Sequence, residues 1–236
     1  MDGTGRLFFR QVPLLASAFR VTTFSLRDDA DRMETLIDDL AAFVRGVTGG
    51  VNGRRAVICG ESFGGALALS FALRHPELVR ALIIVNSFPH FRPQFRLHAA
   101  MAGIQLMPWG AMAFIRRLTA FRMHSRHTHR VELRRFLEET RTTTKRGYLN
   151  RLRILTRYDV LPSLPELRSP TLFLAADRDH LVPAVAQARL MASRAPNATV
   201  RVLEGHGHIC MIAPNLDLAQ LIAEWGELNG EMQLAP

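Results

Sequence analysis

An α/β fold, with a mostly parallel sheet covered by helices on both faces, is what these 236 residues predict. First, short apolar or β-branched runs alternate along the chain with longer stretches of helical period. Second, several of those runs, such as Ala81-Leu82-Ile83-Ile84-Val85 and Thr171-Leu172-Phe173-Leu174-Ala175-Ala176, lack the polar alternation of a half-exposed strand and read as strands buried on both faces. Third, 48% hydrophobic and 22% charged residues over this length supply one sizeable core, and exclude a disordered, collagenous or coiled-coil chain.

The elements follow in order. Phe19 to Leu26 alternates like a strand, and Asp31 to Val47 carries Met33, Leu36, Ile37, Leu40, Phe43, Val44 and Val47 at helical spacing. Ala56 to Gly60 is a buried strand, and Phe63 to Arg74 a helix stopped by His75-Pro76. Ala81 to Val85 is the next strand. After it comes a mostly helical segment, and then the series resumes with a strand at 171–176, a helix at 185–193, a strand at 198–203 and a helix at 216–228. This divides the chain into a core, residues 1–87 and 166–236, and an inserted helical cap, residues 88–165.

In parallel sheets of this kind the chemistry gathers at the carboxyl ends of the strands. Gly60-Glu61-Ser62-Phe63-Gly64 stands between a strand and a helix and matches G-x-S-x-G. A sharp strand-to-helix turn exposes the serine hydroxyl, flanking glycines remove clashing side chains, and the helix start offers free N–H groups. Ser62 is thus a candidate nucleophile, with the Phe63 N–H as an oxyanion donor. The later strands are followed by Asp177-Arg178-Asp179 and by Gly205-His206-Gly207-His208. Serine, then acid, then histidine is an order in which triads occur.

With these residues in view, the chain resembles the α/β-hydrolase fold superfamily of serine hydrolases. Members typically carry Gly-x-x-Asp followed by two residues and Val-Pro, a register that falls on Ala176, Asp179, Val182 and Pro183. The resemblance therefore implies Asp179 as the acid and Asp177 as a turn residue. The family's Gly-His fits either His206 or His208, and His208 is preferred because it leads straight into Ile209-Cys210-Met211-Ile212. The start, Asp2-Gly3-Thr4-Gly5, is similar to a stretch of the phytyl ester synthase-like esterase, lipase and acyltransferase group, where a Pro-Gly pair and a strand stand just upstream. That likeness implies a reading frame begun late, with N-terminal strands missing, and a second oxyanion donor near Asp2 or Met1.

The implied activity is hydrolysis of carboxylic esters or thioesters of an apolar acyl substrate through an acyl-enzyme on Ser62, with no cofactor. Acyl transfer to an alcohol and non-catalytic ligand binding on the same fold are the alternatives. In the cap, Met107, Trp109 and Met112 belong to an apolar stretch suited to an adaptable acyl pocket.

Charge is concentrated in the same region. The net charge is +9, yet residues 92–157 hold 15 Lys and Arg against three acids, Glu132, Glu138 and Glu139. Such a segment fits a solvated helical face or contact with an anionic membrane surface; nucleic acid is not an expected partner. His124, His127 and His129 sit among arginines without an accompanying acid or cysteine, and read as surface rather than a metal site. Two cysteines, Cys59 and Cys210, and no leader-like start point to a reducing, cytoplasmic setting.

Overall fold

The computed structural model describes residues 2–49, 54–92 and 94–229. Four parallel strands form one sheet in the order β1 (Ala56–Glu61), β2 (Val79–Val85), β3 (Thr171–Ala176) and β4 (Ala198–Leu203). The register runs Glu61 opposite Val85, Val85 opposite Leu174 and Ala176 opposite Leu203, so all four carboxyl ends lie along one edge.

Alternation along the buried strands divides the core. Leu82, Ile84, Phe173 and Ala175 point to one face, under α2 (Met33–Thr48), α3 (Phe63–Arg74) and α8 (Ala184–Ala192). Ala81, Ile83, Val85, Leu172 and Leu174 point to the other, under α1 (Gln11–Leu15) and α9 (Leu218–Asn229). Helix α2 buries Leu36, Ile37, Leu40, Ala41 and Val44, a stripe at the spacing read from the sequence. It is terminated by Gly49 in the left-handed conformation, φ 84°.

Between β2 and β3 the chain forms α4 (Gln94–Leu106), α5 (Met112–Met123), α6 (Arg130–Glu139) and α7 (Lys145–Arg157). Helix α7 is capped by Thr144, which accepts from the Gly147 N–H at 3.0 Å, and it buries Leu149, Leu152, Ile154 and Leu155.

One expectation fails. Residues 20–27 form no strand. Phe19 and Val21 pack, like Val57 and Cys59 of β1, against the core on one face, while Phe24 and Leu26 pack, like Ile58, against the core on the other. The segment therefore contributes to the core on both faces of the sheet without entering a ladder. Leu26 N–H bonds the Gly3 carbonyl at 2.7 Å, and Arg151 binds both the Leu26 carbonyl and the Asp28 carboxylate. Alternating β-branched residues favour an extended, half-buried backbone, but a strand also needs a neighbour in register. Among the described residues β1 pairs only with β2, which leaves it mostly half-buried while β3 is buried throughout.

Candidate active site

The turn after β1 is tight. Ser62 has φ 56° and ψ −118°, a conformation that costs a non-glycine residue energy and persists only where its surroundings enforce it. They do so here. The Ser62 N–H bonds the Val85 carbonyl at 2.9 Å, and the Ser62 carbonyl accepts from Gly65 and Ala66 N–H and from the Ser87 hydroxyl at 2.8 Å. A side chain at Gly65 would come within 2.6 Å of Ser87 Cβ, so the close packing of α3 on β2 requires glycine. As the first helical residue, Phe63 has no acceptor for its N–H within α3.

His208 and Asp179 complete a continuous chain of hydrogen bonds. His208 Nε2 lies 3.0 Å from Ser62 Oγ, and His208 Nδ1 lies 2.7 Å from Asp179 Oδ2. The Asp179 side chain is fully buried, and its second oxygen accepts the N–H groups of Leu181 and Val182 at 2.9 Å each. Both carboxylate oxygens are thus occupied, and the carboxylate cannot rotate away from the imidazole without breaking bonds.

His206, the alternative histidine, points elsewhere. Its Nδ1 pairs with the buried Ser125 hydroxyl at 2.9 Å, its ring lies 5.4 Å from that of His127, and burial holds its pKa below the usual imidazole value. This pairing ties the histidine loop to the α5–α6 turn, reinforced by Arg126 N–H to the Gly205 carbonyl and Ile209 N–H to the Met123 carbonyl. Among the described residues no three His, Cys, Asp or Glu converge into a metal-sized cluster.

The cysteines beside the site are held as thiols: burial pushes Cys59 up to about 12 and raises Cys210 well above its ordinary value. The same burial raises the carboxyl of Glu61, next to the elbow serine, to about 7.

The hydrogen bonds and packing of the other residues expected at the site involve different partners. Asp2 is tied to the segment between β2 and β3: its carboxylate accepts from Thr143 and also from Thr4, and its carbonyl from Arg151. Met1 lies outside the described residues. Met112 is buried in the main core, Met107 packs against it, and Trp109 packs against Tyr148 with the Arg116 guanidinium 5.2 Å over its ring.

Two polar residues at the end of β2 escaped the sequence reading. Asn86, 1% exposed and at φ 46°, and Ser87 touch the surroundings of all three chain members. The signal was present: a polar pair directly after a buried strand, at the carboxyl edge where Ser62 was sought.

A parallel sheet with helices on both faces and a serine elbow define the α/β-hydrolase fold. Within it, the family model described as serine aminopeptidase, S33, matches residues 23–215, and the chain belongs to that hydrolase family. A relative from Serratia proteamaculans, described as a candidate carbamate hydrolase, RutD, is 25% identical across the whole chain and 92% of its own length. The pimeloyl-[acyl-carrier protein] methyl ester esterase of Aromatoleum aromaticum is 29% identical over 72% of this chain and 73% of its own. Among solved structures, a thermophilic esterase from Thermogutta terrifontis superimposes with a TM-score of 0.80 at 22% identity, covering 97% of this chain and 87% of that one. The enol-lactonase of Burkholderia xenovorans does so at 0.78 and 20% identity, covering 97% and 86%. At those identities the likeness speaks for the fold.

Proposed function

We propose that this hydrolase cleaves carboxylic esters or thioesters of an apolar acyl substrate through an acyl-enzyme on Ser62. The observation that carries the reading is the unbroken Ser62–His208–Asp179 hydrogen-bond chain. The Ser62 proton passes to His208 Nε2 as Oγ attacks the acyl carbonyl. Asp179 fixes the tautomer that leaves Nε2 free and stabilises the imidazolium, and the Phe63 N–H receives the developing oxyanion. The imidazolium then protonates the leaving alcohol or thiol, and water repeats the sequence in reverse to free the acid.

The helices of residues 88–165 form the cap in this reading, with Met107, Trp109 and Met112 contributing to acyl binding. The methyl ester esterase among the relatives supports an ester, and the RutD likeness makes an alkyl carbamate the second substrate to assay. Two free thiols suit a reducing cytoplasm.

Fluorophosphonate labelling and turnover of a p-nitrophenyl ester test the proposal. Ser62→Ala is expected to abolish labelling and to lower turnover by ~10⁴- to 10⁶-fold. Labelling that survives the substitution places the nucleophile elsewhere. A fatty alcohol added to the same assay measures transfer against hydrolysis.

A further inference from the structure

The three members of the hydrogen-bond chain come from the turn after β1, from the turn after β3 and from the loop after β4, while β2, lying between β1 and β3, supplies none. Yet the end of β2 is where their supports meet. Asn86 N–H continues the ladder to the Leu174 carbonyl at 3.0 Å. Its side-chain oxygen accepts the Ala176 N–H at 2.8 Å, at the last residue of β3 and three residues before Asp179. Its amide nitrogen donates to the His208 carbonyl at 2.9 Å, and lies 3.4 Å from the Gly207 carbonyl and 3.3 Å from Cys210 Sγ. Next to it, the Ser87 hydroxyl holds the Ser62 carbonyl.

We infer that Asn86 is a positioning residue of the hydrolytic site, fixing His208 against Ser62 by tying the His208 carbonyl to the end of the strand that leads to Asp179. The inference rests on the Ser62–His208–Asp179 reading above.

The chemistry of the position is restrictive. It needs one acceptor, for the Ala176 N–H, and one donor, for two carbonyls, on a short side chain; a primary carboxamide supplies both, and its partners settle which end is nitrogen. It also needs a backbone in the left-handed region, which asparagine enters at lower cost than other residues with a Cβ, glycine aside. An aspartate of the same shape keeps the acceptor but turns a charged oxygen toward the His208 and Gly207 carbonyls, with Glu61 and Asp179 close to the same imidazole. Glycine keeps the backbone conformation and deletes only the amide. Proton transfer between Oγ and Nε2 depends on their 3.0 Å separation, and a displacement of about 1 Å costs on the order of 100-fold in rate.

The test uses the full chain as Asn86→Asp, Asn86→Gly, Ser62→Ala and a control, Asn150→Asp. Asn150 is also buried and also donates to a backbone carbonyl, that of Asp28, but on the insertion. Turnover of a p-nitrophenyl ester is normalised to the fraction of sites that react with fluorophosphonate, so that misfolded protein drops out. Asn86→Asp is expected to lower kcat per active site by ~100-fold with KM within about twofold. It also moves the acid limb of the pH–rate profile upward, because a new anion beside His208 favours the imidazolium. Asn86→Gly lowers kcat without moving that limb, and serves if the aspartate variant does not fold. Asn150→Asp leaves both parameters unchanged per active site. If kcat per active site in Asn86→Gly and in any folded Asn86→Asp equals that of the parent, Asn86 is structural only and the inference fails. If Ser62→Ala retains turnover, the hydrolytic reading itself falls, a result distinct from the first.

Discussion

Glu61 shows how much one carboxyl beside the elbow can do. It ends β1 half-buried, with Cys210 against it and His208 and Asp179 acting on it, and loss of water raises its pKa from 4.5 to about 7. Between those two values the unfolded chain releases this proton and the folded protein keeps it. The native state then binds more protons than the unfolded one, and stability falls as pH rises from about 4.5 through about 7. Glu61→Gln removes the titration at nearly constant shape. Urea unfolding at pH 5 should find the two proteins alike, whereas at pH 8 the variant should be more stable by roughly 2 kcal/mol. A constant difference between the two pH values contradicts a neutral buried carboxyl. Ser62, Asp179 and His208 were legible in the sequence because each stands in a motif at a strand end. Asn86 left only the weaker trace of a polar residue after a buried strand, because the partners that give it significance stand 90 and 122 positions away. Of the two candidate histidines, His208 has its ring nitrogen 3.0 Å from Ser62 Oγ, while His206 pairs with Ser125.

At the scale of elements, the elbow works because β1 and α3 nearly touch. A Cβ on Gly60 would run into the Gly64 carbonyl and stand 2.7 Å from the Gly65 nitrogen, all of it backbone that cannot rotate aside. Gly60→Ala should therefore force α3 outward, lowering stability by about 1–3 kcal/mol and slowing fluorophosphonate labelling as Ser62 moves from His208. Gly103, inside α4 with open space around its would-be side chain, makes the contrast: Gly103→Ala should raise the melting temperature and leave labelling unchanged. Thermal melts and labelling rates of both variants check the pair, and a neutral Gly60→Ala would show that the elbow has slack. Glycine spacing was informative in the sequence because close approach leaves that trace. The run at 19–26 was misread as a strand because pairing depends on which strand lies alongside, and no residue within the run encodes that.

Over the whole molecule, charge and apolar exposure coincide. No acid occurs between Glu77 and Glu132, and within the basic segment Glu132 pairs with Arg10 of the N-terminal stretch, while Glu139 is shared between Arg6 and Arg135. On α5, Phe114 and Leu118 are 72% and 56% exposed, one turn apart, with Arg117 exposed beside them. A second copy of the chain would bring like charge to this face, whereas a bilayer containing anionic lipid offers negative head groups to arginine and hydrocarbon to phenylalanine and leucine. Among the described residues no helix is long and apolar enough to cross a membrane, so contact through α5 would be superficial. The protein should co-sediment with mixed phosphatidylcholine–phosphatidylglycerol vesicles at low salt, and be released by added salt. Arg117→Gln should weaken this binding by roughly fivefold, about 1 kcal/mol for the loss of one charge at the surface. Phe114→Asp with Leu118→Asp should weaken it further while ester turnover in solution stays the same. Equal binding to pure phosphatidylcholine vesicles would assign the attachment to apolar contact alone, and no binding to either would leave the arginine-rich helices as a solvated face whose charge serves only to keep copies of the protein apart.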